Sequence, residues 1–182
     1  LWGADGQAYE FKIPANPAGI SELATEQMVV QSMRRLSSRL PFEIPESLGQ
    51  TQDDKGTTGV LFTLLEGSSP DLSRLGPGPF SKSFGEALSA LHSLPVEAIS
   101  DAGLPQYDSA AILHQRVSEL DKMAATGKVP APLLSRWEQA LEDIGLFRFH
   151  STITHGAISS DAVLINGQQV VGLTNWTSLS IG

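Results

Sequence analysis

The side chains able to do chemistry are few. Cysteine is absent, which removes thiolate nucleophiles, thiolate metal sites and disulfides. Four histidines, at 92, 114, 150 and 155, show no metal-ligand spacing with acidic partners. No Gly-x-Ser-x-Gly elbow presents a serine nucleophile. The Gly76-Pro77-Gly78-Pro79 run is too rich in proline, which has no N–H, to cradle a phosphate. The most informative stretch is Thr154-His155-Gly156-Ala157-Ile158-Ser159-Ser160-Asp161-Ala162-Val163-Leu164-Ile165, followed by Val170-Val171-Gly172-Leu173-Thr174-Asn175-Trp176. It sets a polar loop before a short hydrophobic strand, then an Asn166-Gly167 turn, then a second strand that ends on Asn175 and Trp176.

These residues need elements to hold them. Tyr9-Glu10-Phe11-Lys12-Ile13 alternates and stops at Pro14, which reads as a strand. Residues 18–40 carry a helical pattern through Ile20, Leu23, Met28, Val30, Met33 and Leu36, with Asn16 or Ser21 as the cap. Residues 41–47 are extended and bounded by Pro41. Residues 50–59 are polar and rich in glycine and read as an exposed turn. The apolar run at residues 60–65 reads as a buried strand, and residues 67–79 as the boundary between two lobes. Helices are expected from Phe80 to Leu94, over residues 109–126 and over residues 130–147. Strand-like pieces then cover residues 151–155, 162–165 and 170–173.

This order gives an α+β protein with a small mixed lobe and a helical lobe. The chain has 182 residues and 41% hydrophobic content, enough for a real core. Its net charge of −8 argues against a protein that coats nucleic acid or an anionic membrane. No apolar run approaches the roughly 18 residues of a membrane helix, and no signal-peptide pattern opens the chain, so a soluble cytoplasmic protein is the default. The start, an Asp5-Gly6 turn with little strand before it, and the end at Ser178-Leu179-Ser180-Ile181-Gly182 without helix or cap suggest the middle of a larger protein, truncated at both ends.

The histidine loop resembles the catalytic region of the aminoglycoside/macrolide phosphotransferase family, kinase-like phosphotransferases of small molecules. His155-Gly156, the Val163-Leu164-Ile165 strand, the Asn166-Gly167 turn and Trp176 match in order and spacing. The upstream pieces agree, including Leu88-Ser89-Ala90-Leu91-His92-Ser93-Leu94-Pro95 before the loop region, and the resemblance covers nearly the whole chain. It implies a protein-kinase-like two-lobed fold, with residues 1–66 as the remainder of a nucleotide-binding lobe and residues 67–182 as the helical lobe with the catalytic-loop hairpin. It implies Lys12 as the phosphate-pairing lysine and Glu26, on the following helix, as its ionic partner. Leu64, Leu65 and Glu66 become the hinge beside the nucleotide. ATP or GTP is the implied cofactor.

Three departures stand against the matches. Phosphoryl transfer needs a carboxylate for the substrate proton and oxygen ligands that hold Mg²⁺ on the phosphates. The position of the base is Ala157, that of the loop metal ligand is Ala162, and that of the main metal ligand is Asn175. A neutral amide holds a hard cation poorly, which counts against Mg²⁺. Asp161, one position from Ala162, is the available substitute carboxylate. The bland alternatives are a solvated Lys12, a surface Glu26, a structural His155, a packing or capping His92 and a core Trp176. Three functions compete. The first is a pseudokinase with lost or strongly reduced phosphotransferase activity that binds a nucleotide, a small molecule or a partner protein. The second is a working small-molecule kinase using Asp161 or Asn175, and the third an unrelated α+β interaction domain.

Overall fold

The computed structural model describes residues 1–4, 6–74 and 76–182. Asp5 of the expected Asp5-Gly6 turn and Leu75 of the expected inter-lobe segment lie outside them. β1 (Tyr9–Lys12) leads into α1 (Pro17–Arg34), where the Asn16 side chain accepts the Gly19 amide and Pro17 occupies the first turn. The face that α1 buries is Glu26, Val29, Val30 and Met33, at i, i+3, i+4 and i+7. Ile20 and Met28, expected on the apolar stripe, are 61% and 50% exposed. The helix also ends at Arg34, short of residue 40, and a separate 3₁₀ turn covers Ser37–Arg39.

β2 (Ser47–Gln52) and β3 (Thr58–Thr63) complete an antiparallel sheet of order β1-β3-β2. β2 corrects the expectation of an exposed turn over residues 50–59. The turn proper is shorter, and the Asp53 carboxylate ties it by accepting the Lys55 and Thr57 amides. β2 is an edge strand whose residues are mostly exposed, so it carries no apolar alternation to read. β3 places Val60 opposite Lys12 and stops at Thr63, leaving Leu64 54% exposed rather than inside a buried strand.

α2 (Pro79–His92) buries Ser83, Ala87 and Leu91. α3 (Ser109–Ala125) starts at Asp108, whose side chain accepts the Ala111 amide. α4 (Ala131–Glu142) ends earlier than the expected helix to residue 147. The Asp143 side chain turns the chain by accepting the Gly145 amide, and a 3₁₀ turn follows at Ile144–Phe147. β5 (Val163–Asn166) and β6 (Gln169–Leu173) form a hairpin around Gly167, whose φ of +61° suits a tight turn. β4 (Ile153–Thr154) pairs with β7 (Ser180–Ile181), so the last residues are held in a ladder instead of trailing.

The result is a small mixed lobe and a mainly helical lobe that share one core. Glu43 joins them through backbone bonds with Val171 and Leu173. Val29, Met33, Phe62, Leu91, Ile153, Leu173 and Trp176 pack in a single cluster. No helix among the described residues is long and apolar enough to cross a membrane.

Candidate functional site

Lys12 ends β1 with its Nζ 2.8 Å from Glu26 Oε1 and 3.8 Å from a Glu10 carboxylate oxygen. The ammonium also lies 5.2 Å from the centre of the Phe62 ring, a cation–π contact. Glu26 is only 3% exposed. A carboxylate buried to that degree needs partners, and the same Oε1 accepts a second bond, from the Trp176 backbone N–H at 3.2 Å. One residue of α1 thus ties the sheet to the segment that follows β6. Lys12, Glu10, Glu22, Glu26, Asn175 and Thr177 line a cleft of about 420 Å³.

The loop from His155 to Ala162 packs against the segment that follows β6, and neither Ala157 nor Ala162 lines the Lys12 cleft. His155 is 2% exposed, and its Nε2–H donates to the Thr174 carbonyl at 2.8 Å. Its ring lies 4.6 Å from that of the fully buried Trp176. Burial pushes the imidazole pKa down, so the neutral tautomer with a proton on Nε2 is the resident form. Gly156 has φ +80°, and a Cβ there would collide with the Ser178 carbonyl. That close approach seats the loop against the residues after Trp176. Half-buried Ala157 follows directly.

Asp161 is exposed at the end of the loop, and its Oδ2 accepts from Asn175 Nδ2 at 3.2 Å. The Ser159 hydroxyl above all, then the Asp161 backbone N–H and the Asn175 amide, hold this carboxyl below the usual carboxylate range. Ala162 is completely buried, with its carbonyl accepting the Thr174 amide. Asn175 is the single non-glycine residue with positive φ among the described residues, at φ 60° and ψ 58°.

The structure therefore brings Lys12, Glu26 and Asn175 to one cleft and places Asp161 against Asn175. It does not bring Leu64, Leu65 and Glu66 into the lining of that cleft. Leu64 and Leu65 line a separate cavity of about 740 Å³ with Arg34, Phe42 and Val171. Glu66 lines another of about 500 Å³, with Glu43 and Asn166. His92, at the end of α2, is exposed. Two connections escaped the sequence reading. These are the bond from the Trp176 amide to Glu26, across 150 residues, and the bond between the Asn175 amide and Asp161. A buried acid on an apolar helical stripe was the available signal for the first.

At the positions the resemblance assigns to metal ligands, the donor set does not fit Mg²⁺. Ala162 has no side-chain oxygen, and Asn175 donates its N–H to the Asp161 carboxylate. No group of three or more acidic or histidine side chains among the described residues is placed to hold a metal.

No curated protein matches the sequence. Solved structures do. Macrolide 2′-phosphotransferase MphH from Brachybacterium faecium, an apoenzyme, superposes with a TM-score of 0.79 at 20% identity, covering 100% of this chain and 62% of its own. A macrolide 2′-phosphotransferase type I gives 0.77 at 25% identity over 97% of this chain and 60% of its own. The GDP complex of aminoglycoside 2′-phosphotransferase-IIIa gives 0.74 at 19% identity over 96% and 62%. The chain thus spans about three-fifths of the length of these structures. They fix the kinase-like two-lobed fold. The sequence matches the phosphotransferase enzyme family over residues 2–182, and the chain belongs to that family.

Proposed function

We propose that this protein keeps the nucleotide-binding framework of the phosphotransferase family and has lost, or strongly reduced, phosphotransfer. The observation that carries it is an asymmetry between the ion pair in the cleft and the positions that the resemblance assigns to catalysis. The Lys12–Glu26 pair is intact at 2.8 Å, while the three positions that would bear the base and the metal ligands are Ala157, Ala162 and Asn175. Residues 1–66 act as the nucleotide lobe and residues 67–182 carry the loop and hairpin beneath it. Lys12 is the group that meets phosphate, and Glu26 orients it. Solved relatives in complex with GDP, and with GDP and kanamycin, support a nucleotide or small molecule as the occupant. A protein partner is the alternative occupant.

Removing one positioned acid–base group alone costs about a hundredfold or more in rate. A neutral amide in place of the metal-binding carboxylate also leaves the γ-phosphate poorly neutralised. A thermal-shift titration of the full-length protein with ATP and GTP, in Mg²⁺ or in chelator, tests this. A midpoint that climbs with nucleotide concentration, to a similar extent with and without Mg²⁺, together with background turnover of hydroxylated antibiotics, is the expected result. Robust Mg²⁺-dependent turnover would refute it. The ionised Asp161 carboxylate beside Asn175 favours a second reading, an active kinase with a displaced carboxylate. Turnover abolished by D161A would select it.

A further inference from the structure

Two loops meet beside the Lys12 cleft, one between β4 and β5 and the other between β6 and β7. Several bonds cross between them near Asp161. The Thr174 amide donates to the Ala162 carbonyl at 3.0 Å, the Thr174 hydroxyl to the Asp161 carbonyl at 3.2 Å, and Asn175 Nδ2 to Asp161 Oδ2 at 3.2 Å. Asn175 makes its bond from a left-handed backbone, which asparagine tolerates better than most residues. The residue after it is anchored, since the Trp176 N–H is held by Glu26 and the indole is wholly buried.

In kinase-type phosphotransfer, one position on each of these loops supplies an oxygen to divalent cations, which thereby bridge the loops. Such a bridge needs converging oxygens, preferably anionic. Here one position is Ala162 and the other donates an N–H to the Asp161 carboxylate. The amide donor is what makes the contact attractive. A carboxylate in its place would face Asp161 as a like charge at the same short separation.

We infer that the Asn175–Asp161 hydrogen bond is a metal-free clasp, joining two loops that a divalent cation joins in metal-dependent phosphotransferases. Asn175 is then a positioning residue, and its amide suits this chain because Asp161 stands opposite it. The clasp is independent of nucleotide, so it is tested without one. N175D puts two carboxylates face to face and converts the clasp into a divalent-cation site.

The experiment is thermal unfolding of the full-length protein in chelator and in millimolar Mg²⁺ or Ca²⁺. The wild-type midpoint should not respond to either cation. N175D should lose a few degrees in chelator and regain them with the cation. The variant D161N/N175D exchanges donor and acceptor, and should recover the midpoint in chelator while losing most of the cation response. A wild-type midpoint that rises with Mg²⁺ as much as that of N175D overturns the clasp. So does an N175D protein as stable as wild type in chelator, or an exchange variant no more stable than N175D. If N175D does not fold in chelator, the exchange variant still decides. Folded at the wild-type midpoint it supports the clasp, and unfolded like N175D it refutes it.

Discussion

Replacing Glu26 with alanine should expose how the two lobes are tied. The carboxylate is 3% exposed, and its Oε1 serves both Lys12 at 2.8 Å and the Trp176 amide at 3.2 Å. Its loss leaves a buried backbone N–H without an acceptor, which costs about 1–3 kcal/mol. It also removes the closest partner of Lys12. Breaking a fully buried ion pair costs about 3–5 kcal/mol. Lys12 is not stranded to that degree, because its side chain is 19% exposed, with Glu10 at 3.8 Å and the Phe62 ring beneath it. E26A should therefore destabilise by about 3 kcal/mol, which for a chain of this length lowers the midpoint by about 6–12 °C. E26Q keeps the volume and one acceptor oxygen, and should lose less than half as much. Urea unfolding followed by tryptophan fluorescence reads these values, since Trp176 is buried. A double-mutant cycle with K12M isolates the pair, with a coupling of about 1–3 kcal/mol expected between groups in direct contact. Coupling below about 0.5 kcal/mol, with E26A and K12M simply adding, would refute the claim that this pair links sheet and helix energetically.

Two further outcomes follow from the site. A157D and N175D introduced together should restore Mg²⁺-dependent nucleotide binding, read as a midpoint shift seen with ATP and Mg²⁺ and lost in chelator, before any turnover returns. An unchanged nucleotide response with and without Mg²⁺ in this variant would contradict the assignment of those positions. Burial depresses the His155 pKa, so as pH falls below about 6.5 the unfolded chain binds a proton that the folded chain refuses. Stability from this group is whole above that pH and declines as pH drops toward the depressed folded value, by at most about 1.4 kcal/mol per pH unit. Urea midpoints measured between neutral and mildly acid pH should show this decline in the wild type and a flatter profile in H155Q. Parallel profiles would remove His155 as the cause.

The elements that escaped the sequence share a physical reason. Apolar periodicity reports burial, and β2 lies at a sheet edge where hydrogen bonding alone makes it a strand. β7 is two residues long and exists because β4 lies alongside. The split of α4 at Asp143 depends on one side chain outcompeting a helical amide. Conversely, Leu64 is apolar but exposed, because the sheet ends at Thr63 and the chain turns away to the second lobe. The Asn166-Gly167 hairpin and the Asn16 cap were legible because their chemistry is local.

The site divides along the same line. Lys12 and Glu26 were readable as candidates, since their strand and helix are consecutive and the resemblance orders them. Their true environment was not. On α1 the buried stripe is Glu26, Val29, Val30 and Met33, and reading only its apolar members drew in Ile20 and Met28, which face solvent. A helix that buries an acid among valines pays for it only if distant groups satisfy the charge. Here they are a lysine on the preceding strand and a backbone amide far along the chain, beside Asn175. Asn175 repeats the pattern. The resemblance assigns a metal-binding carboxylate to this position, while in the structure the Asn175 amide donates to Asp161. In the proposed clasp the amide at 175 and the acid at 161 act as one feature, because a carboxylate at 175 would face Asp161 as a like charge.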